Sequence, residues 1–227
     1  MAERDTITTR FKVDISELKA GIAQANQQIK LANAEFKSAS AGMNDWSKST
    51  EGLSAKIKQL TAVLTQEENK LQNYKKQYDT ISQAYKENGN RAQELKAKLT
   101  ELANNGVSKT SEEYKKYEKE LTSVEKEQAA NKKSMDAMSV TYTNQKGKVD
   151  NIKSSLTKYK SELSQVESAT GQLNTKIKDQ QSKLDSLKSK YVDVVLEQGK
   201  NSKEARQLAS DIDKLSKERQ QNKTSLD

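Results

Sequence analysis

The chain has 227 residues, of which 32% are apolar and 32% are charged, and its mean hydropathy is −1.02. A chain this polar cannot fill the wide core of a globular domain. It can fill the narrow seam between paired helices, where two positions in seven are apolar. Disordered chains share this composition, but the absence of proline and the presence of only eight glycines favour long helices over disorder.

Cysteine and histidine are both absent. Their absence excludes disulfides, Cys/His zinc sites, histidine acid–base catalysis and Ser-His-Asp triads. Gly147-Lys148 lacks the upstream glycine and the following Ser/Thr of a P-loop, and Asp211-x-Asp213 lacks the rest of an EF-hand loop. We therefore predict that the chain is not an enzyme, uses no cofactor or small-molecule substrate, and has no catalytic, cofactor-binding or metal site.

The net charge of +8 comes almost wholly from lysine. Lysines scattered among glutamates usually form a solvated helix face, so we expect at most a weak, salt-sensitive attraction to nucleic acid or to an acidic surface. The longest aliphatic run, Val194-Val195-Leu196, is far shorter than the roughly 18 residues of a membrane span. We expect no membrane contact from this segment, no signal peptide, and synthesis in a cytoplasm.

The first elements in chain order are short. Residues 1–13 are predicted to form an extended or strand-like arm, because apolar residues alternate with polar ones from Thr6 to Val13; the alternative is a frayed terminus. Asp14 and Glu17 resemble a capping box and predict a short helix over 14–37. Residues 38–52 are predicted as a loop and helix start, in which Trp46 is a local packing anchor rather than a ligand platform.

Heptads begin at Leu53 and predict a first coiled-coil segment over 53–104. Its a positions are Ile57, Leu64, Leu71, Tyr78, Tyr85, Ala92 and Leu99, and its d positions are Leu53, Leu60, Glu67, Tyr74, Ile81, Asn88, Leu95 and Leu102. Only two of these positions, Glu67 and Asn88, are polar. Such sustained spacing strongly indicates a coiled coil.

A break over 105–110 interrupts the heptads, and a second coiled-coil segment follows over 111–227. Thr110 and Glu113 predict the capping box of its first helix. Its a positions recur every seven residues from Tyr114 to Leu226, one residue out of phase with the first series. The polar residues at its a and d positions, which weaken a seam but can fix its register, are Gln128, Asn131, Gln145, Thr170, Gln180, Gln198, Asn201, Arg219 and Asn222.

Two similar segments, around Gly89-Asn90 and around Gly199-Lys200-Asn201, predict further breaks that keep the heptad phase. Each is interpreted as a kink in a rod or as the turn of a helical hairpin. Charge favours a turn near 199–201, because folding back would set the lysines at 176, 183, 188 and 190 against the acidic residues Glu197, Glu204, Asp211 and Glu218. An earlier acidic block (Glu118, Glu120, Glu125, Glu127) precedes a basic one (Lys146, Lys148, Lys153, Lys160). All eight tyrosines occupy a or d positions and are predicted to be seam residues.

The N-terminal half resembles the start of tape measure proteins of siphophages that infect Gram-positive bacteria. The resemblance covers roughly residues 10 to 105 and is carried by Val13–Lys19, Ala34–Lys37, Asp45–Ser49, Gly52–Ile57, Leu60-x-x-Val63-Leu64-x-Gln66 and the Gly–Asn pair before Ala92. The remainder resembles the family only as a generic coiled coil.

The resemblance implies an extended, multi-copy helical protein that sets tail length during assembly in the host cytoplasm and fills the tail tube lumen of the virion. It implies the tail tube protein and tail assembly chaperones as partners. Because family members are far longer, it also implies that these residues are a fragment. The expected fold is all-α: long coiled-coil helices with short Gly/Asn breaks, plus one strand-like N-terminal segment. Unbroken from Leu53 to Leu226, such a rod would reach roughly 260 Å. A generic coiled-coil scaffold or tether is the alternative, and a Lys-rich nucleic-acid-binding rod is the second alternative.

Overall fold

The computed structural model describes residues 15–225. It contains four α-helices and one 3₁₀ turn: α1 (Ser16–Ala39), the 3₁₀ turn (Trp46–Lys48), α2 (Thr50–Asn104), α3 (Glu112–Gln198) and α4 (Lys203–Thr224). No strand occurs within 15–225, and the predicted all-α fold is confirmed. The predicted strand-like arm over 1–13 and the capping residue Asp14 lie outside the described residues.

The described residues divide into two compact units. Unit 1 consists of 15–41 together with 55–157, and unit 2 consists of 42–54 together with 158–225. The long helices α2 and α3 contribute to both units.

In unit 1, α1 runs antiparallel to α2 at close range. The side chain of Gln59 donates a hydrogen bond to Asn33 at 2.5 Å, and the Lys56 ammonium lies 4.7 Å from the centre of the Phe36 ring. At the other end of α1, a Cβ added to Gly21 would meet Nδ2 of Asn73 at 2.8 Å. The absence of a side chain at Gly21 therefore leaves room for Asn73 of α2.

The chain reverses between α2 and α3. Gly106 has φ +76°, which glycine adopts without steric cost, and Val107 N–H donates to the Leu102 carbonyl at 3.0 Å. Gly106 N–H donates to the Ala103 carbonyl at 3.1 Å, which completes a Schellman motif.

The capping residue of α3 is Ser111, not the predicted Thr110. Ser111 Oγ accepts a hydrogen bond from Tyr114 N–H at 3.2 Å. Thr110 instead lies inside the turn, where its own N–H donates to Ser108 Oγ. The turn is thus one residue longer than the spacing of Thr110 and Glu113 indicated.

Helices α2 and α3 are antiparallel over unit 1. Arg91 pairs with Glu120, whereas Glu68, nearer the start of α2, pairs with Lys153, farther along α3. The chain consequently does not form one unbroken rod from Leu53 to Leu226. Within α2, the predicted break at Gly89-Asn90 is wrong, because the helix continues through both residues.

In unit 2, the 3₁₀ turn lies across the start of α2. Asp45 caps it, since its carboxylate accepts from the N–H of Ser47 at 3.1 Å. The hydrogen bond from the Ser47 hydroxyl, at 2.6 Å, and the contact with Lys48 lower the Asp45 pKa. A Cβ on Gly52 would meet the backbone carbonyl carbon of Trp46 at 2.7 Å, so only glycine fits there. The Trp46 ring packs on Tyr159, with 5.7 Å between ring centroids.

A second reversal joins α3 to α4. Gly199 has φ +83°, its N–H donates to the Val195 carbonyl at 3.1 Å, and Ser202 Oγ caps α4 by accepting from Ala205 N–H. The helices run back along each other, because Asn222 donates to Gln180 at 2.9 Å. A turn is present at the predicted break over 199–201. Within 15–225 no ion pair within 4 Å joins α3 to α4, so the charge argument for this turn stays a prediction.

Candidate functional site: the helix seams

The heptad positions predicted from the sequence form the seams of the structure. All described a and d residues from Leu53 onward are buried or half-buried, with two exceptions. The exceptions, Gln198 and Asn201, lie at the α3–α4 turn. All eight tyrosines are half-buried, as seam residues should be. The a and d residues therefore form the contacts that pair the helices.

The first seam is wider than the two predicted positions per heptad. Val63, Lys70, Gln77 and Ala84, which directly precede a positions, are buried. The a residues beside them, from Leu64 to Tyr85, are only half-buried. α1 packs along α2 at Lys56, Gln59 and Asn73. The heptad pattern describes the pairing of two helices, so it could not reveal the contact of α1 with α2.

A polar layer crosses the α2–α3 seam. Lys70 Nζ lies 2.9 Å from a Glu67 carboxylate oxygen. Gln145 Nε2 donates to the backbone carbonyl of Glu67 at 2.9 Å and also to its carboxylate. Glu67, Lys70 and Gln145 are 9%, 7% and 3% exposed, so all three are buried. In this layer the Glu67 carboxylate accepts hydrogen bonds from both the Lys70 ammonium and the Gln145 amide.

Burial opposes ionisation of Glu67, but the hydrogen bonds from Gln145 and Lys70 outweigh it and lower its pKa. The nearby charge of Lys148 acts in the same direction. Glu67 is therefore a carboxylate at neutral pH, which is the form that a buried ammonium requires.

Closer to the turn the seam is apolar and flanked by ions. Ala92, Leu95 and Val124 form a buried cluster, to which Tyr117 and Leu121 add. On its flank, Arg91 donates to Glu120 through both Nε and Nη2, and this carboxylate raises the Arg91 pKa.

A second ion pair, Lys96–Glu125 at 2.8 Å, lies on the flank of the same seam, and Lys153 pairs with Glu68 toward the other end. Glu120 and Glu125 of the acidic block and Lys153 of the basic block thus pair with opposite charges on α2. The sequence contains this information in the charges of α2, which are complementary to those of α3 when the two helices pair as an antiparallel hairpin.

A shallow groove also lies along α2 and α3, lined by Leu71, Lys75, Tyr78 and Tyr142. Over residues 15–225, no group of three or more Asp or Glu side chains could hold a metal ion. None of the helices described is long and apolar enough to cross a membrane.

Comparisons of the chain with protein-family models, with curated proteins and with solved structures found no match.

Proposed function

We propose that this chain is part of a siphophage tail tape measure protein, a helical ruler that fills the tail tube lumen and sets tail length during assembly. The observation that carries the proposal is the run of family-like residues between roughly 10 and 105, including Val13–Lys19 and Gly52–Ile57. The seams support it, because they give long helices whose apolar residues serve helix pairing. A multi-copy arrangement and contact with the tube protein belong to the same proposal.

A ruler needs its length in residues to map onto length in space. An α-helix provides this, since each residue adds about 1.5 Å. The 87-residue α3 is the longest such element of the described chain. In the folded-back arrangement α2 runs beside α3, so the turn over 105–111 has to open before both helices add to the measured length.

The test is a change of length in the phage whose genome encodes this sequence. Deletion of four in-phase heptads of α3, residues 149–176, is expected to shorten the tails in electron micrographs by about 42 Å. Duplication of the same block is expected to lengthen them equally. Replacement of the block by an unrelated heptad sequence of the same length is expected to leave the length unchanged, because only the number of helical residues counts.

Tails of unchanged length in the deletion and the duplication would contradict the ruler. They would leave the chain as a coiled-coil scaffold or tether, for which the number of heptads sets nothing.

A further inference from the structure

We propose that the turn over 199–202 opens into a continuous helix and that two copies of the chain then exchange α4. In the resulting dimer each α4 packs on α3 of the other copy. The proposal concerns residues beyond the region of family resemblance and does not depend on a role in a phage tail.

The first observation is the phase of the buried and half-buried seam residues. On α3 these include the buried Leu184 and, seven residues on, the half-buried Tyr191; on α4 they include the buried Ala205 and the half-buried Ile212. Ala205 lies two heptads after Tyr191, so the two helices share one heptad count. A hairpin does not need this agreement, because a turn leaves the second helix free to start in any phase. A continuous helix does need it, since its stripe must stay on one face.

The other turn provides the contrast. Between α2 and α3 the heptad count is displaced by one residue, so a helix running straight through 105–111 would not keep its stripe on one face. That turn is also closed by two Schellman hydrogen bonds, and three ion pairs join its helices. The turn at Gly199 is closed by the αL hydrogen bond, by a bond from Ser202 N–H to the Gly199 carbonyl at 3.1 Å, by the Ser202 cap and by the side-chain bond from Gln198 to Glu204. No ion pair joins its helices within 15–225. Of the two turns, the second alone lacks ion pairs between its helices and preserves the heptad phase.

Exchange would keep the contacts of the hairpin. The bond from Asn222 to Gln180 and the bond from Gln198 to Glu204 would each form between copies instead of within one. Because an exchanged element makes the same contacts in its new place, the cost of the dimer lies mainly in bringing two chains together.

The opened turn also completes the seam. Gln198 and Asn201 occupy a and d positions and are exposed in the hairpin. The pairing of Gln180 with Asn222 places the crossing point of the two copies near residue 201. The two Asn201 amides would therefore meet at the crossing point, and Gln198 of each copy would face Glu204 of the other. Polar seam residues of this kind fix the register and the partner of a coiled coil.

The test starts with Gly199→Ala in the full chain. Alanine disfavours the positive φ of the turn and favours the continuous helix, by about ten-fold per copy. The dimerisation constant, measured by sedimentation velocity at several concentrations, is therefore expected to rise by about 100-fold. Gly106→Ala, which alters the phase-shifted turn at the same kind of φ, is expected to leave the chain monomeric at those concentrations.

A second variant separates exchange from other association. Gly199→Ala with one alanine inserted after Lys200 displaces the α4 stripe by one residue, and is expected to lose the dimer. Because the chain has no cysteine, Gln180→Cys and Asn222→Cys can be placed on separate copies carrying Gly199→Ala. A short bismaleimide should then join position 180 of one copy to position 222 of the other.

Three results would overturn the proposal. They are a Gly199→Ala chain that stays monomeric, a dimer that survives the alanine insertion, and cross-links between two copies of position 180 in place of the link from 180 to 222.

Discussion

The buried layer of Glu67, Lys70 and Gln145 gives the sharpest prediction for stability. Glu67→Gln leaves the Lys70 ammonium, only 7% exposed, without its counter-charge. Removing one partner of a buried ion pair usually costs 3–5 kcal/mol, and we expect about 3 kcal/mol here because a lysine side chain can move toward solvent. The measurement is urea unfolding of the full chain, followed by the helical circular dichroism signal.

The matched control is Glu67→Met combined with Lys70→Met. It replaces both charges with apolar side chains of similar length, and Gln145 keeps the backbone carbonyl of residue 67 as its acceptor. Since no charge is left unpaired, we expect the double variant to unfold within about 1 kcal/mol of the original chain. The reasoning is refuted if the single variant is as stable as the original chain, or if the double variant is as weak as the single one.

The pH dependence of this layer follows from the lowered pKa of Glu67. A carboxyl group with a lowered folded-state pKa stabilises the fold fully above its unfolded value, ordinarily 4.5. This stabilisation disappears as the pH falls through the folded-state pKa. The stability difference between the original chain and the double variant is therefore expected to shift in favour of the double variant below about pH 4.5.

Two further substitutions test other contacts. Gly52→Ala forces a Cβ against the backbone of Trp46 and is expected to cost about 1–3 kcal/mol of stability and to change the tryptophan fluorescence. Gly147→Ala, where a Cβ meets nothing within 4 Å, should stabilise the chain by up to about 1 kcal/mol. Equal effects of the two substitutions on stability would contradict the contact between Gly52 and Trp46. Arg91→Met removes a partly exposed ion pair with Glu120 and should cost below about 1 kcal/mol, a loss that shrinks in high salt. A loss that is independent of salt would show that the packing of the arginine stem matters more.

The helices and their buried stripes could be predicted because seven-residue periodicity is a local signal. The stripe from Tyr114 through Leu184 to Ile212 follows the heptad count read from the sequence. The break at Gly89 was mispredicted, because a glycine inside a helix only lowers its stability. Here its lack of a Cβ instead makes room for Gln128, whose Nε2 would lie 2.8 Å from an added Cβ.

The direction of pairing could not be read from periodicity, since a and d stripes serve parallel and antiparallel helices equally. The decisive information lay between segments, in the match of Arg91 with Glu120 and of Glu68 with Lys153. Burial of Lys70 and Gln77 was likewise missed, because both residues lie outside the a and d positions on which the heptad prediction rests.

The polar layer also determines how far α2 and α3 can slide along each other. Apolar heptads resemble one another, so a seam made only of them could shift by seven residues and still be filled. A shift of one heptad in either direction would set Glu67 against Met138 or Ile152 in place of Gln145. The carboxylate would keep its pairing with Lys70, which moves with it on α2. It would lose its amide donor, at a cost of about 1.5–3 kcal/mol for a hydrogen bond to a charged group. One lengthwise alignment of α2 and α3 is therefore preferred over alignments shifted by a heptad. In this way a single polar layer helps to set where the ends of the two helices lie along each other.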